Sequence, residues 1–361
     1  MQTESTVLPP SIVLSATTVY ATQGSIYTLE ASSGILQQHY QIQGFAYSTV
    51  MDDVIYVNAN HLSNHMIRAL HVRDGSSLWS FQVERYLPSA PVIAGDVVYA
   101  SSVDTVYALR TQDGSLLWHF ETGPMLFASP TVVDEVVFVS PDVNHPSTPF
   151  AYALHAKNGT LLWRSQISDS TSYPLAVVDG VVYISSHRKC SSLRASDGSV
   201  LWQHETKAHV CSPPIVVNGM VYIGFSPFKQ DLSPGQVKLQ QEAVICALRA
   251  SDGFLLWTQQ FGDGKGAGNL TSSVFTDGAI LIGADDGSLS AFRASDGVPL
   301  WRYKTGGLLL SSPAAANGVV YVGANDGSVY ALRTSDGALL WQTFVSTEVT
   351  AKTSIGIRYL P

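Results

Sequence analysis

A chain of 361 residues with 45% hydrophobic and 13% charged content can bury a large core and is too apolar for disorder. A net charge of −8 argues against a nucleic-acid partner or an anionic membrane surface, each of which needs a basic face. Three cysteines, Cys190, Cys211 and Cys246, form neither a CxxC site nor an even disulfide framework. Met1 to Thr6 show neither the basic nor the apolar part of a signal peptide, so the expectation is a monomer with no signal peptide and no membrane insertion.

In chain order, glycine and tryptophan recur with three residues between them at Gly75/Trp79, Gly114/Trp118, Gly159/Trp163, Gly198/Trp202, Gly253/Trp257, Gly297/Trp301 and Gly337/Trp341. These pairs use all seven tryptophans. An earlier copy, Thr28 to Gly34, keeps the glycine but has Gln38 in the tryptophan position. The glycines therefore mark eight units, spaced 39 to 55 residues apart, the signature of a propeller or solenoid. Short β-branched and aromatic runs such as Val319 to Val322 and Ser328 to Leu332, set off by Asn317-Gly318 and Asp326-Gly327, exclude helical repeats. The fold class expected is all-β: one eight-bladed β-propeller domain over 1–361, built of four-stranded antiparallel blades.

Residues Ser11 to Gln23 are expected to supply the inner two strands of the first unit, whose hairpin runs on to Tyr40. With no tryptophan, that blade needs another lock. In the eighth unit the strands are expected at Ser311 to Gly318, Val319 to Gly323, Ser328 to Arg333 and Ala338 to Phe344. Each tryptophan should lie between blades with its N–H on a backbone carbonyl. The tail over 351–361, strand-like up to Leu360, is expected to close the ring.

The repeated pattern resembles the tryptophan-docking motif of the pyrroloquinoline quinone (PQQ)-like propeller family: alanine, any residue, aspartate, two residues, threonine-glycine, three residues, tryptophan. Two departures recur. The motif's aspartate is Arg110, Arg194, Arg249, Arg293 and Arg333 here, or His71 and His155, and its threonine is Asp or Asn, so the turn must make its hydrogen bonds differently. The family includes the propeller lipoprotein of the outer-membrane barrel-assembly machinery and the quinoprotein dehydrogenases. For a dehydrogenase the resemblance implies calcium-bound PQQ in the axial channel beneath a disulfide of adjacent cysteines, near a catalytic aspartate. This chain has no adjacent cysteines and no tryptophan outside the docking positions, so neither PQQ nor calcium is expected.

Second-to-third-strand connections and blade-to-blade connections share one face of such a ring. Insertions are expected there at Asn58 to His65, Pro141 to Pro149 and Ser226 to Glu242, and loops on a rigid scaffold are where binding concentrates. The candidate ligand-binding residues of that face are His61, His65, His145, His187, Arg188 and His209. No pair has metal-ligand spacing such as HxxxH on a helix, since His61 with His65 is expected in a loop. The glycine-rich run Phe261 to Asn269 lacks GxxxxGK[ST] and reads as a flexible connection, and the Asp-Gly pairs read as turns rather than calcium loops. The function expected is non-catalytic: a binding or scaffold propeller presenting one face to a protein or small-molecule partner, in an extracytoplasmic location implied by the resemblance. The alternative is an enzyme using the axial funnel, either a cofactor-free lyase or hydrolase or a PQQ-dependent dehydrogenase.

Overall fold

The computed structural model describes residues 11–345 apart from 16, 23–24, 43–44, 124–125, 141–149, 168–172, 187, 207–208, 211, 227–242, 262–269 and 310. Eight antiparallel sheets follow one another as blades: blade 1 over 11–41, blade 2 over 45–83, blade 3 over 92–121, blade 4 over 131–166, blade 5 over 176–205, blade 6 over 209–261, blade 7 over 270–304 and blade 8 over 314–344. Innermost strands touch their neighbours all the way round, and Ser11–Ser15 of blade 1 meets both Phe45–Met51 of blade 2 and Ala314–Ala316 of blade 8. The ring is therefore an eight-bladed β-propeller.

In blade 8 the second and third strands run over Val319–Gly323 and Ser328–Arg333, as their pattern predicts, and the outer strand over Leu339–Phe344. The inner strand is shorter than expected, only Ala314–Ala316. Pro313 precedes it, and a residue without an N–H cannot extend the ladder. Pro91, Pro130 and Pro214 stand in the same place before Val92–Ala94, Thr131–Val133 and Ile215–Val217. At Asn317 (φ 53°) and Gly318 (φ 75°) the inner turn takes the left-handed pair of conformations that a two-residue hairpin requires.

The outer hairpin shows how the altered motif works. Arg333 and Ala338 bond through Arg333 N–H to Ala338 O (2.9 Å), Gly337 N–H donates to Arg333 O (2.9 Å), and Asp336 accepts the Ala338 N–H (3.0 Å). The arginine then reaches back to the same aspartate at 2.8 Å, and Arg194–Asp197, Arg249–Asp252 and Arg293–Asp296 repeat the pair. The aspartate has moved three residues along the turn, and the arginine partners it from the motif's old aspartate position.

Hydrophobic clusters lie in the seams between blades. Tyr99, Val106 and Ala108 of blade 3, for example, pack with Val137, Val139 and Leu154 of blade 4. Seven of the eight seams are fastened from the outside by a tryptophan. Its ring covers the docking glycine of the next blade, and its indole N–H donates to the carbonyl three residues before that glycine. The pairs are Trp79 with Thr111 (2.7 Å), Trp118 with Ala156 (2.7 Å), Trp163 with Ala195 (2.7 Å), Trp202 with Ala250 (2.8 Å), Trp257 with Ala294 (3.1 Å), Trp301 with Thr334 (2.7 Å) and Trp341 with Ala31 (2.9 Å). Trp257 and Trp301 are partly buried and the other five are buried. At Gly34 (φ 71°) a Cβ would lie 2.5 Å from the Trp341 ring, so the glycine is needed for both space and conformation.

Trp341 thereby closes the ring across the whole chain. Among the described residues, blade 1 has four strands, all from 11–41, and the tail assigned to closure, 351–361, lies outside the described residues. The missing lock of blade 1 is Tyr40. Its ring covers Gly75, and its hydroxyl donates to Val72 O, the carbonyl three residues before that glycine. Gln38 supports it by donating to Arg73 O at 2.5 Å.

Candidate binding face

The segment Asn58 to His65 is a correction: it is not a loop. It forms the end of one strand, Val54–His61, and the start of the next, Asn64–His71, joined by a two-residue turn at Leu62 (φ 51°) and Ser63. Asn58 and Asn60 suggest a loop by type, yet both side chains have partners in the seam. The Asn58 amide donates to Ser89 O (2.7 Å). Asn60 donates to Leu87 O and accepts from Leu87 N–H, both at 2.8 Å, as a neighbouring strand would. These bonds hold the connection from blade 2 to blade 3 against the hairpin; both ends of the Asn60 amide are paired, while the buried Asn58 Oδ1 accepts no hydrogen bond among the described residues.

His65 belongs to that structural set. Its Nδ1 lies 3.1 Å from Asn60 Oδ1 and its ring meets Tyr86 edge-on at 6.0 Å. Burial pushes its pKa down, so it is neutral near pH 7. Tyr86 is pushed strongly up by burial, with Tyr47 adding to the shift. Beside them Arg85 pairs with Asp104 at 3.0 Å, joining the connection to blade 3. His61 and Leu62 stand exposed at the hairpin tip.

The remaining candidates sit on other blades. Arg188 lies in the tight turn before Lys189–Arg194 of blade 5, and its carbonyl accepts the Thr206 N–H at 2.7 Å. His209 begins a short strand, His209–Val210, that pairs with Ser226 and Phe225 at the inner edge of blade 6, so this backbone is sheet and not free connection. His145 and His187 fall outside the described residues, as do 141–149 and 227–242. The structure thus places His61 and His65 together on blade 2, apart from Arg188 and His209. Among the described residues no group of three His, Cys, Asp or Glu side chains could hold a metal.

On blades 7 and 8 the same face is tied down by aspartates that residue type alone did not single out. Asp286 accepts the Ser288 N–H (2.8 Å) and pairs with Arg302 (2.7 Å) and Lys304 (3.7 Å). Burial pushes its pKa up, but these hydrogen bonds and charges outweigh it and the net shift is down. Asp326 accepts the Ser328 N–H (2.9 Å) and the Tyr330 hydroxyl, whose oxygen in turn accepts the Gly306 N–H at 3.0 Å. Burial, together with the bond to Asp326, pushes Tyr330 up to about 12. The available signal was an Asp-Gly pair followed by serine in both blades, Asp286-Gly287-Ser288 and Asp326-Gly327-Ser328.

One position divides the ring. The fifth position from the start of the second strand is Thr22, Asn58, Ser101, Ser140 (one past the four-residue strand Val136–Val139) or Ser185 in blades 1 to 5 and Gly224, Gly283 or Gly323 in blades 6 to 8. At Gly224 and Gly283 a Cβ would meet Leu270 at 2.9 Å and Leu309 at 3.2 Å, leucines of the following blade. The inner strands lining the channel include the aliphatic runs Val92–Ala94, Ile215–Val217 and Ala314–Ala316. All seven tryptophans are in seams, so none floors the channel.

The family model described as "Outer membrane protein assembly factor BamB", of the PQQ type, matches residues 63–145, 150–225 and 241–357. Among curated proteins, none matches in sequence. Among solved structures the chain is similar to BamB from Moraxella catarrhalis, at 18% identity and TM-score 0.70, covering 92% of this chain and 97% of that one. It is also similar to the computationally designed protein Ika8, at 14% identity and TM-score 0.72, covering 91% and 96%. The quinohemoprotein alcohol dehydrogenase from Comamonas testosteroni matches at 12% identity and TM-score 0.67, covering 91% of this chain and 73% of the enzyme. At these identities the structural likenesses show the fold.

Proposed function

This chain belongs to the family of the outer membrane protein assembly factor BamB, and we propose that it is a non-catalytic scaffold whose connection-bearing face binds an envelope protein on the extracytoplasmic side of a membrane. The observation that carries this reading is the inequality of the two faces. Second-to-third-strand connections are as short as 62–63 in blade 2, where the hairpin strands themselves are lengthened, yet grow to 140–149 in blade 4 and 227–242 in blade 6. On the opposite face the first-to-second-strand turns stay at two residues in blades 2 to 8, as at Asn317-Gly318, and the third-to-fourth-strand turns at five, as at 334–338. Stability alone gives no reason to lengthen one face, whereas a partner does. His61 and Arg188, at hairpin turns of that face, are the first described residues to change.

A photo-crosslinking residue at Leu62, exposed on this face, is expected to capture one discrete envelope protein in cells, and the same residue at Ser335 on the opposite face is not. Removing 228–241 should abolish the Leu62 adduct while leaving the thermal midpoint nearly unchanged. Capture from Ser335 alone would assign the working face the other way round. In the same reading, added PQQ with calcium should produce no concentration-dependent thermal shift, because a ligand that binds the folded state must stabilise it.

A further inference from the structure

The seams repeat one arrangement closely enough that a departure from it is informative. In four seams the carbonyl that accepts the tryptophan also accepts a tyrosine hydroxyl from the second strand. Tyr99 donates to Ala156 O (3.3 Å), Tyr183 to Ala250 O (3.5 Å), Tyr222 to Ala294 O (3.0 Å) and Tyr321 to Ala31 O (3.3 Å). In the seam between blades 4 and 5 the corresponding residue is Phe138. Its ring lies 6.0 Å from Trp163 at 50°, as Tyr99 lies 5.9 Å from Trp118 at 51°, so the ring holds the tyrosine position and the hydroxyl alone is missing. Ala195 O accepts the Trp163 indole at 2.7 Å and, among the described contacts, no second donor.

A cavity of about 330 Å³ opens at this place. Val133, Val136, Phe138 and Val177 form its apolar walls, Ala195 lines it, and Asp134 and Ser196 stand exposed at its mouth on the tight-turn face. Asp134 (φ 49°) begins the turn beside that mouth and Glu135 (φ 62°) follows it, both left-handed without a glycine. The volume is at the lower end of small-molecule sites, and apolar walls around a carbonyl with one of its two lone pairs unused select a compact apolar body carrying a single donor.

We propose that this cavity binds a small phenol, with its ring against Val136, Phe138 and Val177 and its hydroxyl donating to Ala195 O from the cavity side. The chain's own tyrosines supply the precedent: four times over, a phenolic hydroxyl is the second donor to this carbonyl. A second hydrogen bond to a carbonyl that otherwise accepts only the Trp163 indole gives the phenol an advantage that its methyl ether cannot have. The site lies on the face opposite the connections, so it is independent of the scaffold reading.

The test uses the full chain labelled with ¹⁵N-tryptophan, whose seven indole N–H signals report the seven docking carbonyls separately. Titration with 4-methylphenol is expected to move the Trp163 signal saturably and to leave the other six in place. Trp163→Phe identifies that signal, and if that variant fails to fold, the signal displaced in Phe138→Tyr identifies it. 4-Methylanisole, with the same ring and no donor, is expected to bind about five- to tenfold more weakly, the worth of one net hydrogen bond. Phe138→Tyr supplies the missing hydroxyl internally, so it should raise the thermal midpoint and lower affinity for 4-methylphenol at least about tenfold. Absence of a saturable Trp163 shift overturns the proposal. So does equal binding of the methyl ether, which would make the site a nonspecific apolar groove, or unchanged affinity in Phe138→Tyr.

Discussion

The seams on either side of blade 1 do the same work with different side chains. Where blade 8 meets blade 1, Trp341 covers Gly34, Trp341 and Tyr321 both donate to Ala31 O, and Thr343 donates to Gly34 O at 2.7 Å. Where blade 1 meets blade 2, Tyr40 covers Gly75 and donates to Val72 O, while nearer the axis a buried Thr22–Ser48 hydrogen bond (2.7 Å) and a second cluster, Ile26, Ile42, Ile55 and Val57, join the blades. The difference shows that the lock is defined by its receiving half, a glycine and the carbonyl three residues before it. Any flat ring with a donor on the correct face of the outer strand can fill the other half.

Removing each ring is the strongest way to break the comparison. Trp341→Ala should lower stability by about 4 kcal/mol as a large-to-small change in a packed seam, and Tyr40→Ala by about 2 kcal/mol because the ring is smaller and part-exposed. Urea midpoints measure both, and equal losses would show that ring size does not set the strength of a seam. Tyr40→Phe keeps the ring and deletes the donor, so about 1 kcal/mol is expected.

A gentler probe is alkaline pH. Burial holds Tyr40, Tyr99, Tyr183 and Tyr321 above their ordinary value and Tyr222 up to about 12. A raised folded-state pKa means that the folded chain keeps a proton the unfolded chain releases near pH 10. Stability from these groups is therefore complete below pH 10 and is lost as pH rises through their raised values. A thermal midpoint that stays level from pH 9 to pH 12 would contradict this. The smallest effect belongs to the exposed hairpin ion pairs: Arg333→Ala should leave the thermal midpoint nearly unchanged, and a clear loss would mean that the relocated aspartate depends on its arginine.

These contrasts also separate what could be read from the chain from what could not. The glycine–tryptophan spacing gave away the eight units, because that interval is set by the distance from a tight turn to a seam-facing position on the following strand. Tyr40 escaped because it stands six residues after Gly34 rather than four. On a strand those positions share a face, so Gln38 marked the place and the ring was one pair further along. Asn58 to His65 misled because polar residues at alternate positions suggest solvent, whereas here the polar groups met are carbonyls of the next connection. The candidate site was legible only in part, since the histidines of the face are spread over several blades and residue type alone does not bring them together.

The lock between blades is asymmetric: each blade carries a ring on one side and a glycine with its carbonyl on the other. Such head-to-tail contacts are heterologous, and nothing in the contact itself limits how many units can be joined. What stops the series is shape. Tryptophan at the rim and residues such as Ala314–Ala316 at the axis make each blade a wedge, and the taper of that wedge counts the members of the ring. A unit gained or lost in a single recombination event would preserve every lock and fail only on curvature, so propeller size can change without any interface having to be reinvented.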